Sequence, residues 1–233
     1  MYDRFAEIYD AIYSFKNYEK ESARLHELIQ QYKRSPGTSL LDVACGTGGH
    51  IAFLKSNYSV EGLDISRPML DVARKKHPEV VFHHGDMATF KLRKQFDVVT
   101  CLFSAIGHLK TKQKLDLSIR NMAQHAKTDG VVIVEPWLTP EQYNVGRLNA
   151  DFVDQPKLKI ARVGISNVRR GLSVLDLHHL VGRPEGVKYF VERLVLGLYT
   201  HKDYLDAFRK AKLETIFDPE GLMGRGLYIG RAS

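Results

Sequence analysis

The chain has 233 residues, of which 44% are apolar and 26% charged, as is typical of a globular protein with one full core. No uncharged apolar run is long enough to span a membrane, and no basic segment followed by an apolar one opens the sequence, so we expect a cytoplasmic protein. The net charge of +7 is spread over both halves without a basic arm, which suits an anionic small substrate as well as a nucleic acid. The two cysteines, Cys45 and Cys101, lie far apart and form no CxxC pair, so we interpret them as thiols in a reducing compartment.

Helical periodicity marks the first part of the chain. Apolar side chains recur at i, i+3, i+4 and i+7 from Phe5 to Ile12, and this spacing predicts an amphipathic helix. The pattern returns from Leu25 to Tyr32, and the second predicted helix ends before Pro36.

From residue 39 onward, short apolar segments alternate with helical ones. The predicted strands cover residues 39–44, 60–65, 80–84, 97–103 and 131–135. The predicted helices between them cover residues 50–55, 66–76 and 111–126, with Ser66 as an N-cap. This alternation predicts an α/β protein with a Rossmann-like, doubly wound, mostly parallel sheet.

The pattern changes after Trp137. Strand-like segments at 159–168, 173–181 and 187–199 are separated by turns at 170–171 and 183–186, which predicts an antiparallel β excursion. A helix at 201–212 and a strand at 226–230 would return the chain to the main sheet. We therefore expect an α/β domain of residues 1–136 and 201–233, and an excursion of residues 137–200.

A glycine loop follows the first predicted strand, in the segment LLDVACGTGG of residues 40–49. A dinucleotide fingerprint would need glycine at position 51, where the chain has Ile51. Asp42 would repel a pyrophosphate but would favour a ligand that carries an ammonium and a sulfonium. The D-x-x-x-G-x-G pattern resembles motif I of the class I methyltransferases that use S-adenosylmethionine (SAM). It predicts SAM as the cofactor, with the backbone at Ala44, Gly46 and Gly48 close to its methionine part. A tight turn without a ligand is the alternative.

Carboxylates also follow the next two strands. Asp64 ends the second strand, where a carboxylate can accept both ribose hydroxyls of a nucleoside, with Ile65 beside it. The alternative is an acid that merely stabilises the start of the next helix. Asp86 and Met87 follow the third strand, and in this class such a pair flanks the adenine.

The fourth strand ends in the segment FSAIGHL of residues 103–109. Ligands in open parallel sheets bind outside the carboxyl ends of the strands, so this segment should border the transferred methyl group. Methyltransferases that act on adenine N6 usually carry [DN]-P-P-[FYW] here. Its absence argues against methylation of a nucleic-acid base.

Five segments together indicate a narrower family. They are LDVACGTG at 41–48, HGDM at 84–87, SAIGHL at 104–109, EPW at 135–137 and GRGL at 224–227. In this order they resemble the N,N-dimethyltransferases that act on TDP-linked amino sugars, of the desosamine and mycaminose type. The resemblance extends from Tyr9 to Gly230, with Leu138 where the family has a second tryptophan and a looser match over 150–200. It implies an enzyme that methylates a sugar amine twice and forms a homodimer through the excursion.

The resemblance also implies roles for individual residues near the substrate. His108 would lie beside the substrate amine, either accepting a proton with an ordinary pKa of about 6.5 or only orienting the amine. A loop histidine without a part in the chemistry is the remaining alternative. Ser104 and Trp137 would line the substrate site, and Arg225 would bind the pyrophosphate, because a guanidinium can bind phosphate with two hydrogen bonds.

Aromatic residues near the N-terminus would close the site. Tyr9 and Tyr18 are expected to contact SAM, by a hydrogen bond to its carboxylate or a cation–π contact with the sulfonium, and Tyr2 is expected on the substrate side. Ordinary amphipathic packing is the alternative for each tyrosine. The pairs His83-His84 and His178-His179 lack a third ligand at metal spacing, so we predict no metal.

The leading functional hypothesis is therefore a SAM-dependent N-methyltransferase for a nucleotide-linked amino sugar. A SAM-dependent enzyme with another small-molecule oxygen or nitrogen acceptor is the second. An RNA methyltransferase is the third, favoured only by the net charge. A SAM-binding regulatory protein without catalysis belongs to a different class. The intact motifs and the residues of segment 103–109, which suit an acceptor, disfavour it.

Overall fold

The computed structural model describes residues 2–232, with side chains from Ala6 onward, and its regular elements form two sheets with flanking helices. The helices are α1 (Tyr2–Ile12), α2 (Tyr18–Tyr32), α3 (Ile51–Leu54), α4 (Arg67–Lys76), α5 (Lys112–Gln124) and α6 (His201–Lys210), with a 3₁₀ helix at Ala105–His108. The strands are β1 (Ser39–Val43), β2 (Ser59–Asp64), β3 (Val81–His84), β4 (Phe96–Cys101), β5 (Ala126–Val134), β6 (Leu148–Gln155), β7 (Leu158–Arg169), β8 (Leu172–Arg183), β9 (Gly186–Gly197), β10 (Leu213–Asp218) and β11 (Leu227–Ala232).

The larger sheet has seven strands in the order β10-β11-β5-β4-β1-β2-β3. Strands β1 to β5 run parallel, whereas β11 runs antiparallel to both β5 and β10. Strand β1 pairs with β2 on one side and β4 on the other, so the strand order reverses at β1. The loop that leaves β1 therefore starts at the switch point where doubly wound folds bind ligands.

The core of this sheet is apolar on both faces, as parallel sheets require. All six residues of β4 are buried. One face packs against Leu115, Ile119 and Phe208 of α5 and α6, and the other against Leu25 and Leu70 of α2 and α4. The predicted α/β class and the doubly wound sheet are confirmed.

The second sheet consists of the four antiparallel strands β6-β7-β8-β9. Because side chains alternate between the faces of a strand, cross-strand partners share a face. The inner face packs against α1, where Ile8 and Ile12 contact Ile160 and Val181. The outer face exposes apolar side chains in register across the strands: Phe152, Val163, Leu180, Tyr189 and Val191.

The elements differ from the sequence prediction in a few places. Strands β6 and β10 were not predicted, because their residues alternate between two partly exposed faces and form no apolar run. The helix expected at 50–55 is the single turn α3, since the following chain turns into β2. Strand β5 starts earlier than expected, at Ala126, and passes through Asp129 with a positive φ of 63°.

Candidate active site

The loop after β1 has an open backbone face. Ala44, Gly46 and Gly48 all have positive φ, at 59°, 55° and 78°. A Cβ built on Gly46 would meet no atom within 4 Å, whereas one on Gly48 would lie 2.9 Å from Cδ2 of His77. The loop thus presents bare backbone to open space at Gly46 and packs tightly at Gly48, so a ligand can approach the chain closely.

Asp42 lies beneath this loop and is only 2% exposed. The hydroxyl of Thr100 in the neighbouring strand donates to its Oδ1 at 2.8 Å. Burial raises the pKa of Asp42 to about 6, against the opposing effects of His50 and of the Thr100 hydrogen bond. A buried carboxylate held in this way favours a cationic ligand.

Asp64 connects the loop with the end of β2. The Gly46 N–H donates to Oδ2 at 2.8 Å and the Ser66 N–H donates to Oδ1 at 2.7 Å. Burial raises the pKa of Asp64 despite these hydrogen bonds. Asp64 therefore stabilises the turn into α4, and each oxygen keeps a lone pair that can accept a ribose hydroxyl.

The predicted adenine-binding segment lies along the same edge of the sheet. Asp86 is half-buried, and its Oδ1 accepts the Ala88 N–H at 2.8 Å. Met87 packs against the core on the face of the seven-stranded sheet that α5 and α6 cover. Ile65 is 62% exposed after β2, and β3 pairs in parallel with β2. The carboxyl ends of β1, β2 and β3 thus bring the predicted SAM residues together, and their open backbone and acceptor oxygens fit that cofactor.

Two N-terminal tyrosines lie on this edge. The Tyr18 ring covers Gly49, where an added Cβ would lie 2.6 Å from its Cε1 atom. Burial raises the pKa of Tyr9, and the fields of Tyr18 and Asp64 add to this effect. The side chain of Tyr2 lies outside the described residues, so its expected substrate contact remains a prediction.

Helix α1 is tied to the glycine loop as well. The Thr47 hydroxyl donates to Asp10 at 2.6 Å, and Asp10 also pairs with Lys76 of α4 at 3.0 Å. The helix is therefore held over the predicted SAM site from two sides.

The chain leaves β4 through two consecutive residues in the left-handed region. Phe103 and Ser104 have φ of 50° and 57°. Glu135 Oε2 accepts the Phe103 N–H at 2.6 Å, and the Ser104 hydroxyl donates to the Pro136 carbonyl at 2.6 Å. Non-glycine residues held in this region are strained and cluster at functional sites.

The three predicted substrate residues meet at this point. Arg225, from the turn before β11, donates to the Ser104 hydroxyl at 2.8 Å and lies 5.1 Å from the centre of the Trp137 ring. Trp137 Nε1 in turn donates to the hydroxyl of Ser173 in the four-stranded sheet at 3.1 Å. A cation and an aromatic wall thus border the end of β4.

His108 ends the 3₁₀ helix that follows. The residue is exposed at the rim, yet enough protein surrounds the ring for desolvation to lower the pKa of His108. Glu192 opposes this lowering and Lys110 adds to it. The imidazole is therefore neutral at pH 7.

A buried ionic cluster was missed by the sequence analysis. Lys16 Nζ lies 2.8 Å from Glu21, and His50 Nε2 lies 2.8 Å from the same carboxylate. Burial would raise the pKa of Glu21, but hydrogen bonds from His50 and Lys16 outweigh it and lower the pKa. The Lys16 ammonium lies 3.9 Å from the centre of the Phe103 ring, so this cluster packs against the loop that leaves β4. No motif marks these residues, because tertiary packing brings them together.

A second missed group links α1 with the four-stranded sheet. Arg162 donates to the Tyr13 hydroxyl at 3.1 Å and to Asp151 at 2.8 Å. The Tyr13 ring stands perpendicular to Phe103 with centres 5.1 Å apart. Tyr13 directly follows α1, and its N–H donates to the Tyr9 carbonyl at 3.0 Å. The spacing of four residues from Tyr9 was the available signal, because it places two side chains on one side of a helical turn.

The described part of the chain was also searched for metal-ligating groups, membrane-spanning helices and disulfides. Within residues 2–232, no group of three potential metal-ligating side chains is found, and no helix is long and apolar enough to cross a bilayer. His83 instead contacts Glu61 Oε2 at 2.7 Å. Cys45 and Cys101 are free thiols.

The fold and this edge of the sheet define a class I SAM-dependent methyltransferase. Residues 40–130 match the family model described as a methyltransferase domain. The chain is 40% identical to a dTDP-3-amino-3,6-dideoxy-alpha-D-glucopyranose N,N-dimethyltransferase of Streptomyces fradiae, over 97% of this chain and 89% of that protein.

Solved structures agree with this assignment. DesVI of Streptomyces venezuelae superposes with a TM-score of 0.92, at 34% identity and 98% coverage of both chains. SAM-bound CalS10, an amino pentose methyltransferase from Micromonospora echinaspora, superposes with a TM-score of 0.88 at 34% identity and 97% coverage of both chains. The chain belongs to the family of dTDP-amino-sugar N,N-dimethyltransferases, and SAM is its methyl donor.

Proposed function

We propose that this enzyme methylates the amine of a nucleotide-linked amino sugar, with a TDP group as the nucleotide. The observation that carries the proposal is the Arg225–Trp137–Ser104 arrangement at the end of β4, beside the predicted SAM site. A guanidinium over an aromatic wall suits a pyrophosphate joined to a sugar. The relative from Streptomyces fradiae, which acts on such a sugar, supports the same substrate class.

The proposed roles of the residues follow from their places on the sheet edge. SAM supplies an electrophilic methyl group on a sulfonium, so its C–S bond breaks as the C–N bond forms and the sulfur leaves as a neutral thioether. Asp42 favours the cationic donor, Asp64 accepts ribose hydroxyls, and Asp86 with Met87 flanks the adenine. Tyr9 and Tyr18 cover the donor from the N-terminal helices. Because the leaving group is neutral, positioning dominates, and it can contribute about 7–11 kcal/mol.

His108 is proposed to serve the attacking amine. The amine must be neutral when it attacks, and the nitrogen must lose a proton for each methyl group added. A neutral imidazole at the rim can hydrogen-bond to the amine and pass a proton to water. The chain's own contribution is thus to hold the lone pair in line with the methyl group.

We also propose a homodimer in which a second copy covers the outer face of the four-stranded sheet. Phe152, Leu180 and Tyr189 are 74%, 50% and 60% exposed and lie in one row across the sheet, with Ala161 between Phe152 and Leu180. An exposed apolar patch of this kind is typical of an association surface. In this proposal residues 1–136 and 201–233 bind SAM, and residues 137–200 serve substrate and dimer contacts.

The two free thiols support a reducing, cytoplasmic location.

The deciding experiment is incubation with isotope-labelled SAM and a panel of TDP-amino sugars, followed by mass spectrometry. We expect one or two labelled methyl groups on the sugar nitrogen. The matched controls are the same sugars with a hydroxyl in place of the amine, which should stay unlabelled. Labelling of purified tRNA, with none of the amino sugars labelled, would refute the proposal.

A further inference from the structure

The proposed mechanism leaves one buried carboxylate of the four-stranded sheet unused. Glu192 lies on the inner face of β9 and is only 9% exposed. Its Oε2 lies 3.4 Å from Nε2 of His179, a fully buried ring stacked on Phe190 with centres 4.6 Å apart. No hydrogen bond from the described side chains or backbone reaches this oxygen. A carboxylate so placed is costly unless a cation or hydrogen-bond donor meets it.

The surroundings of Glu192 belong to the acceptor side of the site. Burial raises the pKa of Tyr13, directly after α1, and the negative charge of Glu192 adds to this; desolvation lowers the pKa of His108 on the 3₁₀ helix, and the same charge opposes that lowering. The C-terminal part of β9 packs under that helix, where a Cβ on Gly107 would lie 3.5 Å from Leu196 Cβ.

Besides the ring of His179 at 3.4 Å, Arg162 and Lys110 are the basic side chains that act on the same groups as Glu192. Arg162, on the same inner face, forms its ion pair with Asp151 at 2.7 Å. Lys110 lies on the loop beyond His108, where its residue is exposed. Glu192 thus adds a negative charge to the acceptor side, whereas Arg225 adds a positive charge beside Trp137.

These two charges match the two ends of the proposed substrate. A pyrophosphate is anionic, and an aliphatic amine is largely protonated at pH 7, since protein amino groups titrate between about 7.7 and 10.4. We propose that Glu192 anchors the ammonium form of the acceptor amine and so selects amines over hydroxyls. This inference rests on the proposed function and names a specificity-determining residue for it.

The anchor keeps its own charge during the reaction. One N–H proton leaves the ammonium for His108 or for water, and the electron pair stays on the nitrogen. That pair then forms the C–N bond, and the same release must precede the second methylation. Glu192 therefore recognises the cation that arrives, whereas the proton leaves on the side of the exposed imidazole.

The test compares two ligands by calorimetry in the presence of S-adenosylhomocysteine. One is dTDP-3-amino-3,6-dideoxyglucose, and the other is dTDP-6-deoxyglucose, which has a hydroxyl in place of the amine. In Glu192→Gln we expect the affinity for the amino sugar to fall about 10- to 100-fold, as for loss of a charged hydrogen bond, with the hydroxyl analogue changed less than about twofold. Glu192→Asp keeps the charge and should restore part of the preference. Glu185→Gln, an exposed carboxylate of the same hairpin, is the matched control and should bind as wild type.

The outcomes separate this inference from the proposed function. Unchanged binding of S-adenosylhomocysteine shows that each variant is folded. An equal loss for both ligands, or no loss for either, would overturn the anchor while leaving the methyltransferase assignment intact. Wild-type protein that binds S-adenosylhomocysteine but no amino sugar of the panel would refute the proposed function, and the anchor with it.

Discussion

Asp42 combines burial, a raised pKa and a place beneath the glycine loop. Its pKa of about 6 lies above the 3.8 of an exposed aspartate, so the folded protein holds this proton more tightly than the unfolded chain does. The stabilisation from this group is therefore complete below pH about 4 and is lost as the pH rises through about 6. At neutral pH the buried carboxylate therefore lowers the stability of the donor-free enzyme, and in the proposed site a cationic donor would offset this cost.

Asp42→Asn should consequently separate stability from binding. At pH 7 we expect the donor-free variant to gain about 2–3 kcal/mol in free energy of unfolding, while its affinity for SAM falls. Urea unfolding with and without SAM measures both quantities. Asp97→Asn is the control of opposite sign, because hydrogen bonds from Lys127 and Ser39 outweigh burial and lower the pKa of Asp97. A destabilised Asp42→Asn with unchanged SAM affinity would contradict the assignment.

His108 offers a test of how much proton transfer matters. Its lowered pKa and exposed rim position favour an orienting role, since water can take the proton. We expect His108→Ala to lower kcat by about 100-fold or less, and His108→Asn to retain more activity because it keeps a hydrogen bond. SAM affinity should change little in either variant. Equal losses of about 10⁴-fold in both would instead identify His108 as the general base.

The loop between β4 and the 3₁₀ helix is the element on which the proposed acceptor site depends. Glu135 is fully buried, and its Oε2 holds the strained Phe103 by its amide N–H. Burial raises the pKa of Glu135, against the opposing charges of Arg225 and Lys16. The carboxyl group thus fixes the backbone that carries Ser104 and His108.

Replacing this carboxyl group should affect the acceptor more than the donor. We expect Glu135→Ala to leave the Phe103 amide without its acceptor, to cost about 1–3 kcal/mol of stability and to raise the KM for the amino sugar. Glu135→Gln keeps an oxygen acceptor and should retain most of the stability. Steady-state kinetics and thermal unfolding provide the measurements. If KM rose for SAM alone, the loop would belong to the donor site.

Elements differ in how far the sequence could predict them. The parallel strands and the glycine loop were predictable, because doubly buried strands read as apolar runs and the loop has fixed spacing. Strand β6 was not, since Leu148 and Phe152 point outward and Asp151 is held inward by Arg162. The site follows the same division. Ser104, Trp137 and Arg225 lie in recognisable segments, whereas Lys16, Glu21 and His50 become neighbours only through tertiary packing.

At the scale of the whole molecule, the proposed dimer should depend on the outer face of the four-stranded sheet. We expect Leu180→Asp to shift the protein from dimer to monomer, because a buried unpaired carboxylate opposes association. Ile216→Asp, at an exposed position of β10, is the matched control. Sedimentation velocity at micromolar concentration measures the state, and SAM binding should persist in both variants. A monomeric wild type would contradict the proposal.

The alternation of side chains in β6 to β9 assigns neighbouring residues to two different faces of the four-stranded sheet. Inward positions such as 162, 179 and 192 lie on the face that packs against α1 and borders the proposed acceptor site, whereas outward positions such as 163, 180 and 189 lie on the opposite face. Substitutions on one face can therefore change that face without disturbing the other. Insertion of a single residue within β8 has a different consequence, because it exchanges the two sets and turns His178 inward in place of His179. A change in strand length by one residue would therefore alter the proposed acceptor side and the proposed dimer surface together, whereas a substitution alters one of them.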